Sequence, residues 1–86
     1  MRVIKFERKA LEHLSWFEKH DTKVLSKIHT LLEDIKLHPY SGIGKPEALR
    51  GNLFGYWSRR ITKEHRLVYK IEGNTIIIIA SCKLHY

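Results

Sequence analysis

Residues 21–39, DTKVLSKIHTLLEDIKLHP, decide how the rest of the chain is read. Val24, Ile28, Leu31, Leu32 and Ile35 recur at i, i+4, i+7, i+8 and i+11, which is one face of a helix. Asp21 or Thr22 stands where a helix cap belongs, and Pro39 ends the pattern. A stripe this apolar must lie on something, and the flanking sequence has to supply it. On the N-terminal side, residues 7–20 (ERKALEHLSWFEKH) place Leu11, Leu14 and Phe17 at helical spacing, with Trp16 beside them. The two helices are joined by almost no chain and should form a hairpin. Ahead of them RVIKFE (2–7) reads as a first strand.

On the C-terminal side, HPYSGIGKPEALRGN (38–52) has three glycines, two prolines and no period, and reads as a loop. Three strands rich in aromatic and β-branched residues follow: LFGYWSRRI (53–61), EHRLVYKIE (64–72) and NTIIIIASCKLHY (74–86). The last two meet at EGN, a hairpin turn signal, and the first two are separated only by TKE. The order β–α–α–β–β–β predicts a single α+β domain over 1–86, with the helix hairpin on one face of a sheet. Alternation sets Arg66, Val68 and Lys70 on one face, opposite Leu67, Tyr69 and Ile71. In the last strand it groups Ser81, Lys83 and His85, opposite Ala80, Cys82 and Leu84, so Arg66 and His85 should share the open face.

The 86 residues carry 16 Lys/Arg against nine Asp/Glu, a net charge of +7. The charge is unevenly spread. Residues 7–36 balance six of each sign, whereas residues 37–86 hold eight Lys/Arg against Glu47, Glu64 and Glu72. A basic half beside a neutral half suggests a surface built for a polyanion, most plausibly nucleic acid. The single Cys82 allows no internal disulfide, and its expected place in the core makes it a poor nucleophile. Six histidines are scattered without ligand spacing, and one C-x-x-H pair (Cys82, His85) does not make a metal site. No metal or cofactor is expected. The start has no signal-peptide run and nothing approaches a membrane span, so the sequence reads as cytoplasmic.

One chemistry uses what the basic half contains. A ribose 2′-hydroxyl attacks its neighbouring phosphate if a base takes its proton, an acid protonates the leaving 5′-oxygen, and cations stabilise the phosphorane. Glu47 is a candidate base and His85 a candidate acid, its reference pKa near neutrality. Arg66, with Arg59 or Lys45, is a candidate phosphate binder. Tyr56, Trp57, Tyr69 and Tyr86 offer stacking surfaces for unpaired bases. The plainer alternative is that these are solvated charges and a frayed chain end, and the two stand side by side on pattern alone.

GKPEALRGNLFGYWSRRITKEHRLVYKI (44–71), followed by CKLHY (82–86), resembles the YoeB/Txe type of toxin in the RelE superfamily of toxin–antitoxin systems. The strand–helix–helix opening fits the same layout. The resemblance implies a RelE-like, microbial-RNase-like fold and a ribosome-dependent endoribonuclease that cuts messenger RNA in the A site without a metal. It implies Glu47 as general base, Arg66 as phosphate and transition-state binder, His85 as general acid, and Tyr86 as its support or as a stacking surface. RNA contacts are expected at Lys45, Arg59, Arg60, Trp57 and Lys83. The implied partners are a YefM/Phd-type antitoxin, the ribosome and mRNA, with homodimerisation left open. Ala48 departs from the proline frequent after the glutamate, and Lys83–Leu84 from the usual pair before the terminal HY. A module that occupies the ribosome without cutting would use the same arginines and aromatics but would not need Glu47 and His85.

Overall fold

Asp21 starts the long helix: its side chain accepts a hydrogen bond from the Val24 amide at 3.2 Å, satisfying one of the helix's unpaired N–H groups. The computed structural model describes residues 2–82. Over these the chain forms β1 (Val3–Phe6), α1 (Arg8–His20), α2 (Thr22–Leu37), β2 (Glu47–Ala48), β3 (Trp57–Arg60), β4 (Arg66–Glu72) and β5 (Thr75–Cys82). A short 3-10 turn, Gly51–Leu53, joins β2 to β3. All five stripe residues of α2 are buried, Ile28, Leu31 and Ile35 completely. They pack with Phe17, Leu67, Tyr69, Ile76 and Ile78 in one core between the helix hairpin and the sheet. The fold is the expected small α+β domain.

The sheet is mixed, in the order β1-β5-β4-β3-β2. β1 runs parallel to β5, pairing Val3 with Thr75, and the remaining neighbours are antiparallel. β5 is therefore flanked on both sides, which accounts for its isoleucine run: Ile76 and Ile78 are fully buried, and Ile77 is 9% exposed.

Three details depart from the sequence reading. The buried edge of α1 is Ala10, Leu14 and Phe17, and Leu11 is 53% exposed. The helix lies over β5 and is rotated so that the small Ala10 is the residue against the core. The 38–52 segment is not all loop, because Glu47 and Ala48 pair with Ser58 and Trp57. A two-residue strand is too short to show a period. The predicted 53–61 strand shortens to four residues, with Phe54 outside it and 83% exposed.

A fourth departure reaches the site. Tyr69 pairs with Ile78 but Val68 pairs with Ala80, so one residue of β5 is left over between them. Such a bulge shifts the pairing of the described residues after it by one. Ser81 therefore stands opposite Leu67 and Cys82 opposite Arg66. The expectation that Ser81 is grouped with Arg66, and Cys82 opposite it, is corrected.

Ile28→Ala should cost about 2–5 kcal/mol of unfolding free energy. Leu11→Ala should stay within about 0.5 kcal/mol of the parent. Denaturant titration of both variants checks the rotation of α1.

Candidate nucleic-acid interface

Antiparallel partners directly opposite one another point to the same side of a sheet. Trp57 and Arg59 pair with Tyr69 and Leu67, which belong to the core, so these four face the helices. Ser58 and Arg60 pair with Val68 and Arg66 on the other side, and Glu47 joins that side opposite Ser58. The sheet thus brings Glu47, Arg60 and Arg66 to one face, away from the helices. Glu47 and Arg66 are separated by two strand spacings and two residues of rise, roughly 12 Å between Cα atoms. That leaves room for a phosphodiester between their side chains.

Arg66 is held in advance. Its Nη1 donates to the carbonyls of Thr62 (2.8 Å), His65 (3.1 Å) and Lys63 (3.2 Å) in the β3–β4 turn. Among the described residues these hydrogen bonds all come from this one nitrogen, and Nε and Nη2 make none. Glu47 is exposed and lines an open groove of about 850 Å³ with Ala48, Leu49, Arg50, Asn52 and Leu53. Arg50 is a cation beside Glu47 that the sequence reading missed, although it stands only three residues further on in EALR. Tyr56 remains available at the edge of this face, where the Lys70 ammonium lies 5.3 Å from its ring centre.

Arg59 is corrected. It is fully buried and is not available to RNA. Its Nη1 donates to Asp34 Oδ2 and to the Ile43 carbonyl (3.1 Å). Nη2 donates to the carbonyls of His38 and Ser41 (2.7 Å to the latter), and Nε to the Tyr69 hydroxyl (3.2 Å). The Tyr69 hydroxyl donates in turn to the Pro39 carbonyl at 2.8 Å. Asp34 Oδ2 also accepts from the Ile43 amide (3.1 Å). The Arg59 hydrogen bond holds the Asp34 carboxyl below its ordinary pKa, and burial pushes the Tyr69 hydroxyl up. Tyr69 is fully buried and is likewise no stacking surface. Trp57 lies on the helix side, with its ring 5.0 Å from that of Tyr40, so the face that carries Glu47 does not carry Trp57.

This buried cluster ties down the loop leading to Glu47. Gly42 adopts φ 112°, and a Cβ there would stand 2.0 Å from Asp34 Oδ2. Gly44, at φ 78°, would place a Cβ 2.8 Å from Leu31 Cδ2, and its carbonyl accepts from the Arg60 amide at 2.6 Å. Lys45 is exposed and holds φ 50°, a conformation unusual for a residue with a side chain. Lys83, His85 and Tyr86 lie outside the described residues.

The sequence matches the family described as "YoeB-like toxin of bacterial type II toxin-antitoxin system" over residues 6–86. The chain belongs to that family. Toxin YoeB of a Synechocystis species is 54% identical over 71 residues, covering 83% of this chain and 81% of the relative. The YoeB dimer from Staphylococcus aureus has a TM-score of 0.89 at 49% identity, covering 99% of this chain and 98% of that one. The toxin in the heterotetrameric YoeB-YefM toxin–antitoxin complex from Staphylococcus aureus reaches 0.87 at 48% identity, with 100% and 99% covered. The protein is thus a toxin of a bacterial type II toxin–antitoxin system, and the fold resembled in the sequence is the fold observed. Among the described residues no helix is long and apolar enough to cross a membrane.

Arg59→Ala should lose roughly 3–5 kcal/mol of stability, because it leaves a cavity in place of a fully buried guanidinium and strands a partly buried carboxylate and several carbonyls. Arg59→Lys should recover only part of this, since one ammonium cannot span acceptors on both sides of the fork. The depressed Asp34 pKa adds stability above the unfolded carboxylate pKa, and this is lost as pH falls through the folded value. Denaturation midpoints between pH 7 and pH 3 should therefore fall less steeply for Asp34→Asn than for the parent.

Proposed function

We propose that this toxin is an endoribonuclease that cuts messenger RNA in the ribosomal A site and so stops translation in the cytoplasm. The observation that carries the reading is the register that sets Glu47 and Arg66 on the sheet face away from the helices, roughly 12 Å apart between Cα atoms. Family membership and the sequence resemblance support it. Glu47 takes the proton of a ribose 2′-hydroxyl as its oxygen attacks the adjacent phosphorus. The bond from phosphorus to the 5′-oxygen breaks, and His85 gives a proton to that oxygen. The products are a 2′,3′-cyclic phosphate and a free 5′-hydroxyl. Arg66 binds the charge that builds on the phosphorane through the nitrogens that the β3–β4 turn leaves free. Tyr86 supports His85 or stacks on the substrate. Lys45, Arg60 and Lys83 hold the flanking phosphates, and Arg59 is withdrawn from that set.

A YefM-type antitoxin is the expected inhibitor, as the Staphylococcus aureus complex is one of YoeB with YefM. Homodimerisation is a further expectation, given the YoeB dimer from the same organism.

In vitro translation with 5′-end mapping tests the proposal. The parent should create new message ends at codon boundaries. Glu47→Gln and His85→Gln should each slow cleavage by roughly 10²–10⁴-fold, and Arg66→Ala by roughly 10²–10³-fold, while all remain folded. Translation arrest with an intact message would replace cleavage by occlusion. Parent-rate cleavage by His85→Gln would remove it as the acid.

A further inference from the structure

Four cations from four elements of the chain meet on the flank of the domain. Lys27 of α2, Lys45 of the loop, Arg60 at the end of β3 and Lys63 of the β3–β4 turn line an open groove of about 550 Å³ with Gly44, Ile61 and Thr62. Among the described residues no acid lines it. All four cations are exposed, and none makes an ion pair among the described residues. Lys27 has no acid at i±3 or i±4 on its own helix; those positions hold Lys23, Val24, Thr30 and Leu31.

The groove joins the candidate site directly. Arg60 pairs across strands with Arg66, two like charges placed opposite one another, which weakens a sheet in the absence of an anion. The Thr62 and Lys63 carbonyls that orient Arg66 belong to the turn that walls the groove. Its floor is fixed too: the Gly44 carbonyl accepts from the Arg60 amide, and Gly44 packs against Leu31 too closely for any side chain. The cations are therefore carried on a rigid base and run from Arg66 around the turn to α2.

We propose that this groove is a track for the phosphate backbone of RNA beyond the cleavage site, with Lys27 and Lys63 as phosphate-binding residues; this extends the ribonuclease reading above. The composition favours a nucleic-acid backbone over an acidic peptide. A folding peptide needs apolar anchors, and the large exposed apolar groups Val3, Leu11, Trp16, Leu37, Tyr40, Ile43 and Phe54 are not among the residues that line the groove, although Ile43 adjoins Gly44. A backbone needs spaced cations and little else.

The test measures binding, so it does not depend on cleavage. The probe is a fluorescent single-stranded 2′-O-methyl RNA, which lacks the attacking hydroxyl, titrated with parent and with Lys27→Gln/Lys63→Gln protein at several salt concentrations. The double variant should keep the parent melting temperature and bind roughly tenfold more weakly near physiological salt. Its slope of log affinity against log salt should be shallower by about 1.4, two contacts at about 0.7 each. Parent affinity and slope would overturn the proposal. So would unchanged RNA binding together with lost binding of a YefM-type antitoxin, which would assign the groove to the protein partner. A parent that binds this RNA as expected but cuts no message on the ribosome would instead count against the ribonuclease reading alone.

Discussion

The buried Arg59 guanidinium donates five hydrogen bonds, and four of them end on α2 or on the loop that follows it. A buried cation is costly unless its charge is paired and its donors are filled. Here the Asp34 carboxylate supplies the charge, three carbonyls and the Tyr69 hydroxyl supply the rest, and the Arg fork matches acceptors on several sides at once. What this arrangement fixes is a path. From Pro39 to Gly44 the backbone is fastened to α2 and to the sheet, and it then delivers Glu47 into register with Ser58. Consecutive arginines take opposite duties because a strand alternates: Arg59 points into the core and holds the loop, while Arg60 points out beside Arg66.

The stripe of α2, its Asp21 cap and the hairpin at EGN were legible because each rests on local periodicity or turn chemistry; Gly73 indeed takes φ 59° at that turn. Arg59 was not legible. On charge alone an arginine in a basic segment belongs at the surface, and only the tertiary pairing with Asp34, 25 residues away, reverses this. Tyr69 was misread as a platform even though its alternation with Leu67 placed it in the core. The bulge in β5 was also invisible, since four isoleucines fit either register, and it displaced the expected partner of Arg66 by one residue.

The two sides of the sheet divide the work. One is covered by helices and is nearly all apolar, save the Arg59 cluster. The other concentrates cations on short, well-paired strands and tight turns around the buried Ser58 and Val68. Such a face is electrostatically strained in the free protein and is relieved by a polyanion.

The claim on which the rest stands is that Arg59 fastens the loop carrying Glu47. Amide hydrogen exchange on the folded parent and Arg59→Lys proteins tests it most directly. The account predicts that the Ile43 and Arg60 amides, which bond Asp34 and the Gly44 carbonyl, lose protection together by about tenfold or more in the variant, a local loss of about 1.4 kcal/mol. Amides at the α1–α2 corner, Asp21 and Leu25, should keep parent protection. Unchanged protection at Ile43 and Arg60 would contradict it.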